Sequence, residues 1–187
     1  QYLKKYEYKN ATTNDLWNAL SKSSGVDNIS QMMTSWTKQT GFPVLTITEE
    51  VNNDNNNKKT FKITQNRYLD SGIQYEDPSL WIIPFGYITN NNPKNPVYTM
   101  LSDRTSTITI EESSDIEWVK FNPNLTGFYR VKYPSEYYKK FVPLIKNKTL
   151  SAIDRLSIQD DVCSLARSGA ISSAVALEIL EAYTEED

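Results

Sequence analysis

The sequence contains no histidine, a single cysteine and only six glycines in 187 residues. The first absence removes imidazole chemistry. Without histidine there is no Cys-His or Ser-His pair to activate a nucleophile, and no histidine-based zinc ligand set inside the chain. The lone Cys163 excludes an internal disulfide, so side-chain burial must hold the fold and an oxidising compartment would add nothing to it. The expected location is therefore cytoplasmic. Sequons at Asn10, Asn28, Asn124 and Asn147 would matter only in a secretory protein. No stretch approaches the ~20 apolar residues of a membrane-spanning helix, and Gln1-Tyr2-Leu3-Lys4-Lys5 has the features of neither a signal nor a transit peptide. With no initiator methionine and helical patterning at both ends, the chain is expected to be a segment excised from a longer polypeptide. A net charge of -3 and a pI near 5.2 argue against a nucleic-acid surface, which needs clustered cations. Lys4-Lys5, Lys58-Lys59 and Lys139-Lys140 are expected on solvated surface.

What is present is a globular composition, 39% hydrophobic and 12% aromatic, with enough length for one or two domains. The first segment has helical periodicity. Thr13 is placed to cap a helix carrying Leu16, Trp17 and Leu20, and Gly25 breaks it. Asn28-Ile29-Ser30-Gln31 has capping-box spacing before a helix that sets Ile29, Met32, Met33 and Trp36 on one side. Gly41 and Pro43 then stop the helix.

From Pro43 the period changes to two, with Val44, Thr46 and Thr48 opposing Leu45 and Ile47, which predicts a strand. Further strands are expected over residues 59–65, 81–89, 97–101, 106–110, 118–122 and 128–133. Short strands separated by polar turns point to an antiparallel β-sandwich. The Asn-rich runs 52–57 and 90–95 fall between strands and are expected as mobile loops. After Pro134, residues 135–145 are expected to form one helix around Tyr138, Phe141 and Leu144, limited by Pro143. Ser151 then caps a helix from Ala152 to Arg167, Gly169 closes it and Ser172 opens another, giving a helical hairpin.

Several groups invite a chemical role. Asp160-Asp161 and Glu111-Glu112 are adjacent carboxylates, but consecutive residues diverge by about a hundred degrees on a helix and to opposite faces on a strand, so neither pair is expected to converge on one atom. Asp154-Arg155 stands at a helix start, where the arginine is placed to pair with a carboxylate across a domain junction. Cys163, among apolar neighbours, is expected to be a buried structural thiol. Trp17, Trp36, Trp81 and Trp118 are expected in the core, since aromatic residues at helical and strand periods bury large apolar areas.

Two stretches resemble a known family. Trp36-Thr37-Lys38-Gln39-Thr40-Gly41-Phe42-Pro43, and Trp118-Val119-Lys120-Phe121-Asn122 running on to Gly127-Phe128-Tyr129-Arg130-Val131-Lys132-Tyr133, resemble the gluzincin zinc aminopeptidases of the puromycin-sensitive type. Tyr8 to Thr13 with Asp15-Leu16-Trp17, Trp81-Ile82-Ile83-Pro84, and Asp154-Arg155-Leu156 through Gly169 extend the likeness in order along the chain. The resemblance implies an α+β fold in several segments: residues 1–42 as the helical end of a catalytic domain, 43–134 as a β-sandwich linker domain, and 135–187 as the start of an α-helical C-terminal domain. The Gly-x-Met-Glu-Asn loop, the His-Glu-x-x-His helix and its distal glutamate are absent, so no catalytic, cofactor-binding or metal residue is assigned. Tyr129 does not take the role of the family's catalytic tyrosine, which lies upstream of this region. The implied function is that of a non-catalytic fragment of an enzyme that uses zinc to remove N-terminal residues from peptides. Its partners would be the adjoining catalytic and helical domains, with no nucleic acid and no membrane segment. The alternative is a free-standing sandwich acting as a binding or adhesion module, which would have no need of amphipathic helices at both ends.

Overall fold

The computed structural model describes residues 2–50 and 57–184. Its contacts divide the chain into two compact units, Gln1–Thr40 and Gly41–Asp187.

The first unit is helical: α1 (Tyr2–Lys5), α2 (Thr13–Ser24) and α3 (Ile29–Thr37). Local capping shapes it. Thr12, one residue earlier than expected, caps α2 in a capping box with Asp15. Tyr6 donates to the same carboxylate at 2.6 Å, and these hydrogen bonds, the one from Tyr6 foremost, hold the Asp15 carboxyl down to about 2. Gly25 ends α2 at φ 70, as anticipated. The capping box expected at Asn28 does not form. Asn28 has φ 63 and ψ 20, whereas a capping side chain reaches the first turn from extended backbone. Leu16, Trp17, Met32, Met33 and Trp36 are half-buried, and no described residue of the three helices is fully buried.

The second unit contains β1 (Phe42–Glu50), β2 (Lys58–Leu69), β3 (Gly72–Gln74), β4 (Ile83–Thr89), β5 (Val97–Leu101), β6 (Thr105–Glu111), β7 (Val119–Phe121) and β8 (Arg130–Lys132). One sheet runs β3-β2-β1-β8 with β6 also on β2, and the other runs β5-β4-β7. All pairings are antiparallel except β1 with β8, where Val44 lies opposite Arg130. The long excursion through the second sheet brings β8 back in the direction of β1. The two sheets meet through aromatic rings, as a sandwich requires. Phe61 of β2 meets Phe121 of β7 edge-on at 5.3 Å across the sheets, and within the second sheet Phe85 of β4 stacks on Phe121 at 5.1 Å. Leu45, Ile47, Phe61 and Ile63 are fully buried by the alternation seen in the sequence.

Trp81 and Trp118 lie in this core. Trp81 precedes β4 instead of starting it, because a side chain stands in for its strand neighbour. The Gln65 carboxamide donates to Trp81 O and accepts from Trp81 N, each at 2.9 Å. Of the two Asn-rich runs, residues 52–56 lie outside the described residues. Residues 90–95 form the expected loop, but its start is anchored: Asn90 accepts from Glu117 N at 2.8 Å and donates to Asp115 O at 3.0 Å.

Four helices follow: α4 (Ser135–Tyr138), α5 (Phe141–Lys146), α6 (Ala152–Arg167) and α7 (Ser173–Leu180). The single helix expected over 135–145 is broken in two. Pro143 has no N–H to bond back to residue 139, and it is tolerated because the break places it in the first turn of α5. Ser151 and Ser172 cap α6 and α7 as predicted, and Gly169 at φ 72 turns the chain between them. Ile158, Val162 and Leu165 form the buried face of α6, whereas Ile153 and Leu156 are exposed. Cys163 is exposed as well, so the expectation of a buried thiol is corrected: it lies on the opposite side of α6 from those residues.

Candidate functional site

The charged groups that the fold brings together lie where β7 and β8 meet α6. Lys120 is the middle residue of β7, between Val119 and Phe121, and all three are buried. Its ammonium is paired with Asp154 at 3.0 Å. It also donates to Phe121 O at 3.0 Å, Asn122 O at 2.8 Å and Ser157 Oγ at 3.4 Å. Burial pulls the Lys120 ammonium below its ordinary value, and the Asp154 charge pulls it back. Asp154 stands in the first turn of α6, where the helix dipole favours a negative group. Its Oδ1 accepts from Asn124 N at 2.7 Å and its Oδ2 from Ser151 Oγ at 2.7 Å. The carboxylate thus ties the cap of α6, the turn after β7 and a strand lysine into one knot. The helix-start pair was expected to act through Arg155. Asp154 itself pairs with Lys120, and Arg155 donates to Leu150 O at 2.8 Å.

The connection from β7 to β8 is built by Asn122. It has φ 54, a left-handed conformation that asparagine tolerates better than most residues. Its carboxamide accepts from Gly127 N at 2.8 Å and donates to Gly127 O at 3.0 Å and Tyr129 O at 3.2 Å. A side chain at Gly127 would collide with the Tyr129 ring. Tyr129 points into the core, Phe128 is exposed and Arg130 is half-buried, the alternation the sequence predicts.

Arg130 leads to a correction. Asp160 and Asp161 do converge on one atom: Arg130 Nη1 lies 2.7 Å from Asp160 Oδ2 and 3.2 Å from Asp161 Oδ1. Their directions diverge around α6, but the long arginine side chain reaches from β8 to where the two carboxylates straddle it. The guanidinium also lies over the Tyr68 ring at 5.1 Å and the Phe42 ring at 5.8 Å. Asp161 Oδ2 accepts from Val131 N at 3.0 Å. Burial pushes the Asp161 carboxyl up to about 7, against the opposing pull of Val131 N–H, Arg130 and Lys120. Glu111 and Glu112 stay apart as expected, Glu111 near Lys58 at 3.5 Å and Glu112 accepting from Thr89 Oγ1 at 2.6 Å.

Tyrosine hydroxyls complete the junction. Strand β7 is an edge strand, and its free N–H groups point at alternate residues. Val119 N donates to Tyr137 Oη and Phe121 N to Tyr133 Oη, each at 2.8 Å, and Tyr137 Oη returns a bond to Val119 O at 3.0 Å. Two phenols therefore do the work of a missing strand. Burial raises both above the ordinary tyrosine value, so they stay protonated. Among the described residues, no group of three histidine, cysteine or acidic side chains is placed to hold a metal ion.

Sequence comparison places this arrangement. Residues 118–187, from the start of β7 through α6 and α7, match the family described as ERAP1-like C-terminal domain. The whole chain aligns with aminopeptidases. It is 34% identical over 187 residues to the puromycin-sensitive aminopeptidase of Caenorhabditis elegans, covering 100% of the chain and 19% of that protein. It is 34% identical to aminopeptidase 2 of Candida albicans over 99% of the chain and 19% of that protein. It is 34% identical to glutamyl aminopeptidase of Mus musculus over 100% of the chain and 19% of that protein. Along its whole length the chain corresponds to one portion of these aminopeptidases. It spans about a fifth of the length of the curated relatives it matches.

Proposed function

We propose that the chain is the non-catalytic joining segment of a zinc-dependent aminopeptidase that removes N-terminal residues from peptides. In this reading residues 1–42 end the catalytic domain, 43–134 form the sandwich linker and 135–187 begin the helical C-terminal domain. The partners are those adjoining domains, the substrate is a peptide met by the whole protein, and the location is cytoplasmic. A zinc ion would be held outside this segment. Its donor set draws on imidazole and carboxylate, and the chain has no histidine.

The observation that carries the reading is the alignment with aminopeptidases from one end of the chain to the other. The knot of Lys120, Asp154 and Arg130 supports it in physical terms. A segment that must hold two larger domains in register needs strands and helix fixed to each other. Here the start of α6 is bound to the turn after β7 through Asp154, and its middle to β8 through Asp161. The test is to express the coding sequence around this segment and assay it for bound zinc and aminoacyl-amide hydrolysis, with the segment alone in parallel. The longer protein is expected to carry both properties and the segment neither. Stoichiometric, tightly held zinc on the segment alone would overturn the assignment, as would a longer protein that folds but lacks both properties.

A further inference from the structure

The sandwich treats its strand edges unequally. At the edge of β7 the N–H groups of Val119 and Phe121 are taken by tyrosine hydroxyls. At β8, Val131 N is taken by Asp161, and just past the strand Tyr133 N is taken by Tyr138 at 3.3 Å. β3 is only three residues long and β6 carries Glu111, features that discourage pairing with another chain. β5 has neither cover nor charge. It ends the smaller sheet, all five of its residues are uncharged, and Val97, Tyr98 and Met100 are each exposed over about half their surface.

Hydrogen-bond parity shows which groups this edge presents. Asn122 N donates to Gly86 O at 3.0 Å, so the backbone of Gly86 faces the β7 side. Pro84, two residues earlier in β4, faces the same way and has no N–H to give. Their register partners on β5 are Tyr98 and Met100, whose N–H and C=O therefore point away from β4. Among the described residues these groups meet no partner. The Tyr98 side chain leaves them open, because its ring leans back over Gly86, where an added side chain would collide with it.

We infer that β5 pairs antiparallel with β5 of a second copy of the chain, about a twofold axis at Thr99, joining the two smaller sheets into one. The strand's own pattern selects this occupant and this register. With Tyr98 opposite Met100 of the second copy, every outward N–H meets an outward C=O. A register centred on Tyr98 would set Met100 against Pro96, which has no N–H, and one centred on Met100 would set Tyr98 against Ser102, outside the strand. Thr99 meets its own copy, a pairing of threonines that this fold already makes at Thr60 with Thr109 (3.2 Å) and Thr64 with Thr105 (3.1 Å). No like charges on the two strands come together. A strand this short buries less than the ~1,200 Å² of a stable interface, so the pairing is reversible. It goes beyond the joining role and does not depend on it.

The test is sedimentation velocity over a concentration series, on the original chain, on Thr99→Lys and Thr99→Glu, and on an equimolar mixture of the two variants. The original chain is expected to sediment faster as its concentration rises, with amide exchange slowing at Tyr98 and Met100. Each variant sets two like charges opposite each other and is expected to dimerise about fivefold more weakly, while the mixture associates about tenfold more tightly than either variant alone. Sedimentation of the original chain that does not change with concentration would overturn the inference. So would variants that associate as well as the original chain, or a mixture no tighter than its components, because the contact would then lie elsewhere. A longer protein bearing this segment that stays monomeric with Tyr98 and Met100 already protected would also overturn it, giving the edge to an adjoining domain.

Discussion

The first forty residues and the remainder of the chain achieve order by opposite means. In the first unit no described helical residue is fully buried, and the hydrogen bonds and turns that shape α2 are local: Thr12 with Asp15, Tyr6 with Asp15, Gly25 at its end. In the second unit the decisive contacts join residues far apart in sequence, such as Lys120 with Asp154, Tyr68 with Ser164 O and Gln65 with Trp81. Local caps shape a helix but contribute little toward the conformational entropy of ordering a chain, whereas long-range burial offsets it. The second unit is thus built to stand as a cooperative body, and the first to be shaped by what its half-buried apolar face meets.

The largest expected effect lies at the sheet-to-sheet contact. Phe121→Ala removes a ring that touches Phe61, Phe85 and Tyr133, and urea unfolding followed by tryptophan fluorescence is expected to show a loss of about 3–5 kcal/mol. A loss below about 1 kcal/mol would mean that the sheets do not share one core.

Next come the phenols that stand in for a strand. Tyr133→Phe leaves Phe121 N–H buried without its acceptor and is expected to cost about 1–3 kcal/mol, with exchange protection of that amide falling before global unfolding. If the amide stays as protected as before, the hydroxyl is not its partner.

Asp161 adds a pH dependence of defined sign. Its folded carboxyl is raised to about 7 from an ordinary value of 3.8, so between these values the folded chain holds a proton that the unfolded chain has released. Stability from this group is full below the unfolded value and is lost as pH rises through about 7. Carboxyls held low, such as Asp77, act in the opposite direction at lower pH. The quantity to read is therefore the difference between the original chain and Asp161→Asn, which is expected to grow in favour of the variant from pH 4 to pH 8. A flat difference would show that Asp161 stays ionised beside Arg130 throughout.

The smallest effect belongs to the first unit. Thr12→Ala removes the cap of α2 and is expected to cost about 0.5–2 kcal/mol, seen as faster amide exchange within α2. Unchanged exchange there would contradict the view that local capping organises these residues.

What the sequence reveals divides along the same line as the two regions. Signals with a local cause are legible: the alternation of β1, the caps at Ser151 and Ser172, the glycine ends at Gly25 and Gly169, and the resemblance carried by Trp118 to Tyr133. Features decided by distant partners are not. Nothing in Arg130-Val131-Lys132 tells that this strand runs parallel to β1, and nothing in Gly72-Ile73-Gln74 marks a strand that exists only through its register with β2. The convergence of Asp160 and Asp161 depends on an arginine thirty residues away. For Lys120 a signal was available. A lysine between Val119 and Phe121, in a run that alternates poorly, is a candidate for burial, and an aspartate in the first turn of a later helix is the partner it would need. Cys163 shows the converse, since apolar neighbours in sequence do not place a residue on the apolar side of its helix.

The central claim is that a buried ion pair locks the sheet to α6, and a double-mutant cycle tests it most directly. Lys120→Met, Asp154→Asn and the pair together would be compared by urea unfolding. Each single change strands a buried partner and is expected to cost about 3–5 kcal/mol, while the double change costs clearly less than their sum, with a coupling of about 2 kcal/mol or more. Strict additivity, with coupling below about 0.5 kcal/mol, would show that the two charges do not act as a unit and would contradict the account.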